Sequence, residues 1–112
     1  MIREISIYKS YFIEFYQSQD GKVQEKIEYV LDLIRYQERV PATFLKKMAG
    51  TDGLYEIRIK QGSNIYRIFC FFDKGKLVIL INGFVKKTQK TPKKEIKIAE
   101  RLKKEYYENK EK

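Results

Sequence analysis

A surplus of 24 Lys and Arg over 15 Asp and Glu leaves this chain of 112 residues with a net charge of +9. On so small a protein that implies an anionic partner, nucleic acid ahead of an acidic membrane, because no segment reads as an amphipathic anchor. The length suits one core and a single domain, 1–112. No histidine and only one cysteine are present, which excludes the usual zinc sites, Ser-His and Cys-His catalytic pairs and an internal disulfide. No metal or other cofactor is expected, and with no leader or bilayer-length apolar run the expected place is the cytoplasm, with no membrane partner.

In chain order, Ile2 to Tyr8 alternates and reads as a short strand with Ile5 and Ile7 on one side. Ser10 stands where it can cap a helix carrying Tyr11, Phe12 and Phe15, which ends near Gln19-Asp20-Gly21. A longer helix, from about Lys22 to Arg39, gathers Val23, Ile27, Val30, Leu31 and Ile34 on one stripe, and Pro41 stops it. Phe44 to Gly50 reads as a part-helical connector into a turn at Thr51-Asp52-Gly53.

Two hairpins follow. Gln61-Gly62-Ser63-Asn64 suits a two-residue loop, which sets Ile59 opposite Tyr66 and Arg58 opposite Arg67. Asp73-Lys74-Gly75-Lys76, read the same way, sets Asp73 opposite Lys76, Phe72 opposite Leu77 and Arg67 opposite Asn82. In that register one face collects Tyr55, Ile57, Ile59, Tyr66, Ile68, Cys70, Phe72, Leu77, Ile79 and Ile81, to be covered by the two N-terminal helices. Cys70 falls among them as a small buried hydrophobe rather than a nucleophile. Thr91 then caps a last helix with Pro92 in its first position and an inner stripe of Ile96, Ala99, Leu102 and Tyr106. Phe69, Phe71, Val78 and Leu80 would receive that stripe, and residues 108–112 would fray.

The arginine row is the best functional clue. Like charges directly opposite on a sheet are destabilising, and Glu56 is the one acid on the same face within reach. Two guanidiniums with one carboxylate between them leave room for a phosphate, whose oxygens match the guanidinium fork; the plain alternative is a surface pair. Lys86 faces the row from the dense run Lys86-Lys87-Thr88-Gln89-Lys90. A lysine crowded by cations has its ammonium disfavoured, so Lys86 is a candidate base or acid, or else only attracts phosphate.

The order of strand, two helices, three-stranded antiparallel meander and closing helix resembles the RelE/ParE toxin superfamily. Phe44-Leu45-Lys46-Lys47-Met48-Ala49-Gly50, Gly53-Leu54-Tyr55-Glu56-Ile57-Arg58, Tyr66-Arg67-Ile68-Phe69 and Asn82-Gly83-Phe84-Val85-Lys86-Lys87-Thr88-Gln89-Lys90-Thr91-Pro92 resemble its HigB-type, phage Gp49-like branch over nearly the whole chain. The resemblance implies an α+β, RelE-like fold, with two N-terminal helices on one sheet face and the C-terminal helix on the other. It also implies a toxin of a type II toxin-antitoxin system: an endoribonuclease that cuts messenger RNA on the ribosome, without metal, and is silenced by a small helix-turn-helix antitoxin. Arg58 and Arg67 would contact the scissile phosphate, with Asn82 and Lys86 completing the catalytic set. RNA contacts are expected at Lys46, Lys47, Lys60, Phe84, Lys87 and Lys90, Phe84 stacking on a splayed base or simply covering the sheet edge. Where relatives often carry histidine this chain has Asn82, and an amide cannot exchange a proton near neutral pH. That departure keeps two other readings open: a ParE-like toxin that inhibits a protein such as DNA gyrase, and a catalytically inactive RNA-binding or antitoxin-binding module.

Overall fold

The computed structural model describes residues 1–110. Strand β1 (Glu4–Ile7) leads into helices α1 (Tyr11–Gln17) and α2 (Gly21–Tyr36). Strands β2 (Leu45–Lys47), β3 (Leu54–Gln61), β4 (Asn64–Asp73) and β5 (Leu77–Lys86) precede helix α3 (Lys93–Lys110). The five strands form one sheet in the order β1-β5-β4-β3-β2. The β3-β4-β5 meander is antiparallel, whereas β1 runs parallel to β5. Among the described residues, no helix is long and apolar enough to cross a membrane.

The first hairpin has the expected register: Gly62 takes positive φ, Gln61 faces Asn64, and Arg58 lies directly opposite Arg67. The second departs from it. Lys74 and Gly75 both adopt positive φ (50° and 69°), and Asp73 pairs with Leu77 instead of Lys76. The loop therefore holds three residues, Lys74, Gly75 and Lys76, the first two with the paired positive φ of a type I′ turn and the third as the extra residue. One extra loop residue flips every side chain of the following strand, so Val78 and Leu80 face α1 and α2 while Ile79 and Ile81 face α3. A bulge then intervenes, because Ile81 and Asn82 together oppose Phe69 between the pairs Cys70–Leu80 and Ile68–Gly83. It restores the alternation that the loop displaced, turning Phe84 onto the arginine face opposite Arg67 and Lys86 onto it opposite Ile65.

Each sheet face has its own core. The stripe Val23, Ile27, Val30, Leu31 and Ile34 of α2, with Phe12 and Phe15 of α1, packs on Ile57, Ile59, Tyr66, Ile68, Cys70, Val78 and Leu80. Ala99 and Leu102 of α3 pack on Leu54, Phe69, Phe71, Ile79, Ile81 and Phe84. Cys70 is wholly buried, and burial pushes its thiol well above the ordinary range, so it behaves as a hydrophobe.

Several boundaries differ from expectation for local reasons. The α2 helix ends at Tyr36, well before Pro41, because the Arg3 guanidinium binds the carbonyls of Ile34, Gln37 and Glu38 at 2.8–3.0 Å and Gln37 turns extended. Its start is capped by Asp20, whose carboxylate accepts from the Val23 N–H at 3.0 Å. Ser10 precedes α1 without a side-chain cap, its hydroxyl donating instead to Glu14. Within Phe44–Gly50, Leu45–Lys47 is a strand: Leu45 joins the first core and pairs with Ile57. Thr91 does not cap α3, since its hydroxyl donates to Glu56. The end of α3 is held rather than frayed, with Asn109 donating to the Tyr8 hydroxyl and Lys110 to Asp73; positions 111 and 112 lie outside the described residues.

Candidate functional site

Cross-strand pairing places Glu56, Arg58 and Arg67 on one face, at the end of the sheet that α3 leaves uncovered. Glu56 and Arg67 are nearly inaccessible, 8% and 6% exposed. The Glu56 carboxylate stands between the two guanidiniums, 3.9 Å from Arg58 Nε and 3.6 Å from Arg67 Nε. Both separations exceed hydrogen-bond length, and the two Nε atoms are buried with no hydrogen-bond partner among the described residues. One Glu56 oxygen accepts instead from the Thr91 hydroxyl at 3.2 Å. Arg67 is left with one donation, to its neighbour's carbonyl on Tyr66 at 3.2 Å, and Arg58 with a long one to Ala42 at 3.5 Å. Burial, then the charge of Arg58, lowers the Arg67 pKa, opposed in part by Glu56; a guanidinium is basic enough to stay charged all the same. An oxyanion bridging these two forks would satisfy donors that a buried site otherwise leaves idle.

The row opens into a groove of about 730 Å³ walled by five cations, Lys26, Lys46, Arg58, Lys60 and Arg67, with Phe44, Ile59 and Ile65 among its apolar lining and, among the described residues, no acidic side chain. Lys86 is half-buried beside it. Burial lowers its pKa first and Arg67 next, against a smaller opposing pull from Glu56, so its ammonium yields a proton more readily than an ordinary lysine. Lys87 lines a neighbouring concavity with Thr88 and Gln89, and Lys90 is exposed in the same connection to α3.

Three expected site residues stand differently. Asn82 is not opposite Arg67: it sits in the bulge, 3% exposed, donating at 3.1 Å to both the backbone carbonyl and the carboxylate of Glu95 in α3. The three-residue loop and the bulge account for the displacement, and the amide fastens the start of α3 to β5. Phe84 does lie opposite Arg67, but its ring is 8% exposed and packs 5.3 Å from Phe69, so it covers the second core instead of presenting a free stacking face. Lys47 pairs with Tyr55 and so alternates to the face away from the row, whereas Lys46, opposite Glu56, shares it. Two members were missed. Thr91 reaches Glu56 from the connection before α3, and Lys26 reaches the groove from α2. Strand alternation could reveal neither, since both approach from outside the meander.

The fold is similar to that in a solved structure, the archaeal RelE-RelB complex from Pyrococcus horikoshii OT3, with a TM-score of 0.56 and 21% identity over 76% of this chain and 96% of that one. That likeness establishes a RelE-like architecture. None of the curated protein sequences compared matches the chain. Residues 14–104 match the family described as Phage derived protein Gp49-like. The matched span runs from α1 through most of α3 and contains Glu56, Arg58, Arg67 and Lys86, and the chain thus belongs to the phage Gp49-like family, built on a RelE-like fold.

Proposed function

We propose that this protein is the HigB-type toxin of a type II toxin-antitoxin pair and cleaves messenger RNA at the arginine row. The observation that carries the reading is the facing pair Arg58 and Arg67, whose Nε atoms are buried without a partner among the described residues and share one carboxylate, at the head of a groove whose charged lining is cationic. RNA offers the anion such a site lacks, and its own 2′-hydroxyl supplies the nucleophile. In that reaction the 2′-oxygen bonds to phosphorus, the bond to the 5′-oxygen breaks, and the products are a 2′,3′-cyclic phosphate and a 5′-hydroxyl. The arginines stabilise charge on the phosphorane. Lys86, half-buried beside them with its pKa lowered by burial and by Arg67, is the group placed to exchange a proton. Lys46, Lys60, Lys87 and Lys90 add charge along the path of the strand, no metal is required, and the ribosome, in the cytoplasm, is where messenger would be met. A small helix-turn-helix antitoxin is the expected partner; the RelE of similar fold is itself solved in complex with RelB.

Mapping the 5′ ends of cellular RNA after brief expression tests the reading. New ends with 5′-hydroxyls, accompanied by prompt loss of methionine incorporation while DNA synthesis continues, are expected. Arrest of DNA synthesis first, with no new ends, would favour inhibition of a protein target, a reading that the commitment of Asn82 to Glu95 keeps in play because no histidine replaces it.

A further inference from the structure

The groove does not stop at the sheet. Lys26 lines it and also lines a smaller concavity on the outer face of α2, formed with Lys22, Glu25, Tyr29 and the hairpin residue Gln61. The two depressions are therefore joined at one lysine. Tyr29 is 52% exposed and stands off the apolar stripe through which α2 packs on the sheet, so its ring has no part in the first core. The Lys26 ammonium lies 5.0 Å from the centre of that ring. A large aromatic on the polar face of a helix, beside a cation shared with an anion-binding groove, has the make-up of a single-strand platform, where a base stacks on the ring and the adjoining phosphate meets the charge. The arginine row has need of one, because Phe84, the aromatic next to Arg67, is consumed by its contact with Phe69.

We infer that the groove continues over Lys26 to a nucleotide-binding subsite on α2, where Tyr29 stacks a base of single-stranded RNA and Lys26 holds the flanking phosphate. This rests on the RNA reading of the arginine row. Lysine suits the junction, since its compact charge on a flexible stem can swing from ring to phosphate, and Lys22, one turn earlier on the helix, adds a second charge. The subsite would grip the strand at a distance from the scissile bond, adding affinity without touching the chemistry.

The test is equilibrium binding of 5′-labelled oligouridines, from about two to about twelve nucleotides, a range that brackets short single-strand sites. In the wild type, affinity should rise with length. Tyr29→Ala should remove about tenfold at the long end while leaving the shortest oligonucleotide unaffected, Lys26→Glu should weaken the long oligonucleotides more than the short ones, and Tyr29→Phe should retain the rise. A Tyr29→Ala protein with the full length dependence overturns the subsite, as does a Lys26→Glu protein weakened equally at every length, which would mark diffuse charge. Failure of the underlying reading looks different: an Arg67→Ala protein would then bind every length as the wild type does.

Discussion

Arg67 owes its functional interest to a conflict that folding alone would remove. It is buried, faces Arg58, and lacks a true hydrogen bond from Nε to the carboxylate 3.6 Å away. Arg67→Ala should reduce RNA cleavage by a hundredfold or more, from the loss of about 3 kcal/mol of transition-state stabilisation. Its stability should change by only about 1 kcal/mol, because relief of the like-charge pair offsets the loss of a cation beside Glu56. Cleavage kinetics and urea denaturation decide this together, and a fully active, stable Arg67→Ala protein would sink the anion-site assignment. Asn82 behaves in the opposite way. Its amide serves Glu95 from a buried position, so Asn82→His should destabilise the protein by about 1–3 kcal/mol through overpacking and lost hydrogen bonds without raising cleavage, as thermal melting and kinetics would report. The contrast shows what single residues disclosed in advance. The Arg58–Arg67 pairing was legible because Gly62 dictates a tight turn only a few residues away, whereas the position of Asn82 depended on two backbone irregularities.

Those irregularities belong to the strands, and they act together. The three-residue loop at Lys74–Lys76 reverses the faces of β5, and the bulge at Ile81–Asn82 reverses them again, so that Ile79 and Ile81 serve the second core while Phe84 and Lys86 still reach the arginine face. Hydrophobic alternation could not reveal the first reversal, since Leu77 to Ile81 is apolar at every position and fits either register. The stripe of α2 was legible because polar residues separate its apolar ones, and β2 was not, being three residues long. Just past the bulge, Gly83 admits close packing of α1: a Cβ there would lie 2.6–3.0 Å from the ring of Phe15. Gly83→Ala should therefore cost about 1–3 kcal/mol and lower the melting temperature by several degrees, and Phe15→Leu in the same chain should recover part of the loss. An unchanged melting temperature for Gly83→Ala would mean that α1 yields freely. At the far end of the sheet Asp73 ties the hairpin to α3, accepting from Lys110 and Tyr106 at 2.7 Å each. The Lys110 hydrogen bond, then that of Tyr106, holds the Asp73 carboxyl below its usual value. A lowered folded pKa gives stability that is present above about pH 4, the unfolded carboxylate value, and lost as pH falls through the folded one. Tyr106 has the opposite sense: burial, then Asp73, pushes it up to about 12, so its share is complete below about pH 10 and fades as pH rises toward that value. Asp73→Asn should be less stable than the wild type near neutrality, with the difference closing below about pH 4; denaturation curves across that range would show it.

Over the whole molecule, charge and shape divide the labour. The two apolar faces of the sheet are covered by helices, which leaves the uncovered end of the meander as the place where a cationic groove can form. The net charge of +9 was legible from composition, but its focusing was not. Lys46, Arg58, Lys60 and Arg67 converge through strand pairing, while Lys26 arrives from α2 only because that helix lies across the same sheet. A diffuse coat of lysines and a focused groove make different predictions about salt. Binding of single-stranded nucleic acid weakens with a logarithmic slope of about 0.7 per phosphate neutralised. If the five groove cations each engage a phosphate, the slope is about −3.5, which amounts to about a hundredfold loss of affinity between about 50 and 200 mM salt. Lys60→Ala removes one of the five and should reduce the slope by about 0.7. Lys97→Ala, on α3 and outside the groove lining, should leave the slope unchanged while altering net charge by the same amount. Titrations of a labelled oligouridine at four or more salt concentrations would distinguish the two variants, and equal slopes for both would mean that RNA is held by overall charge and not by the groove.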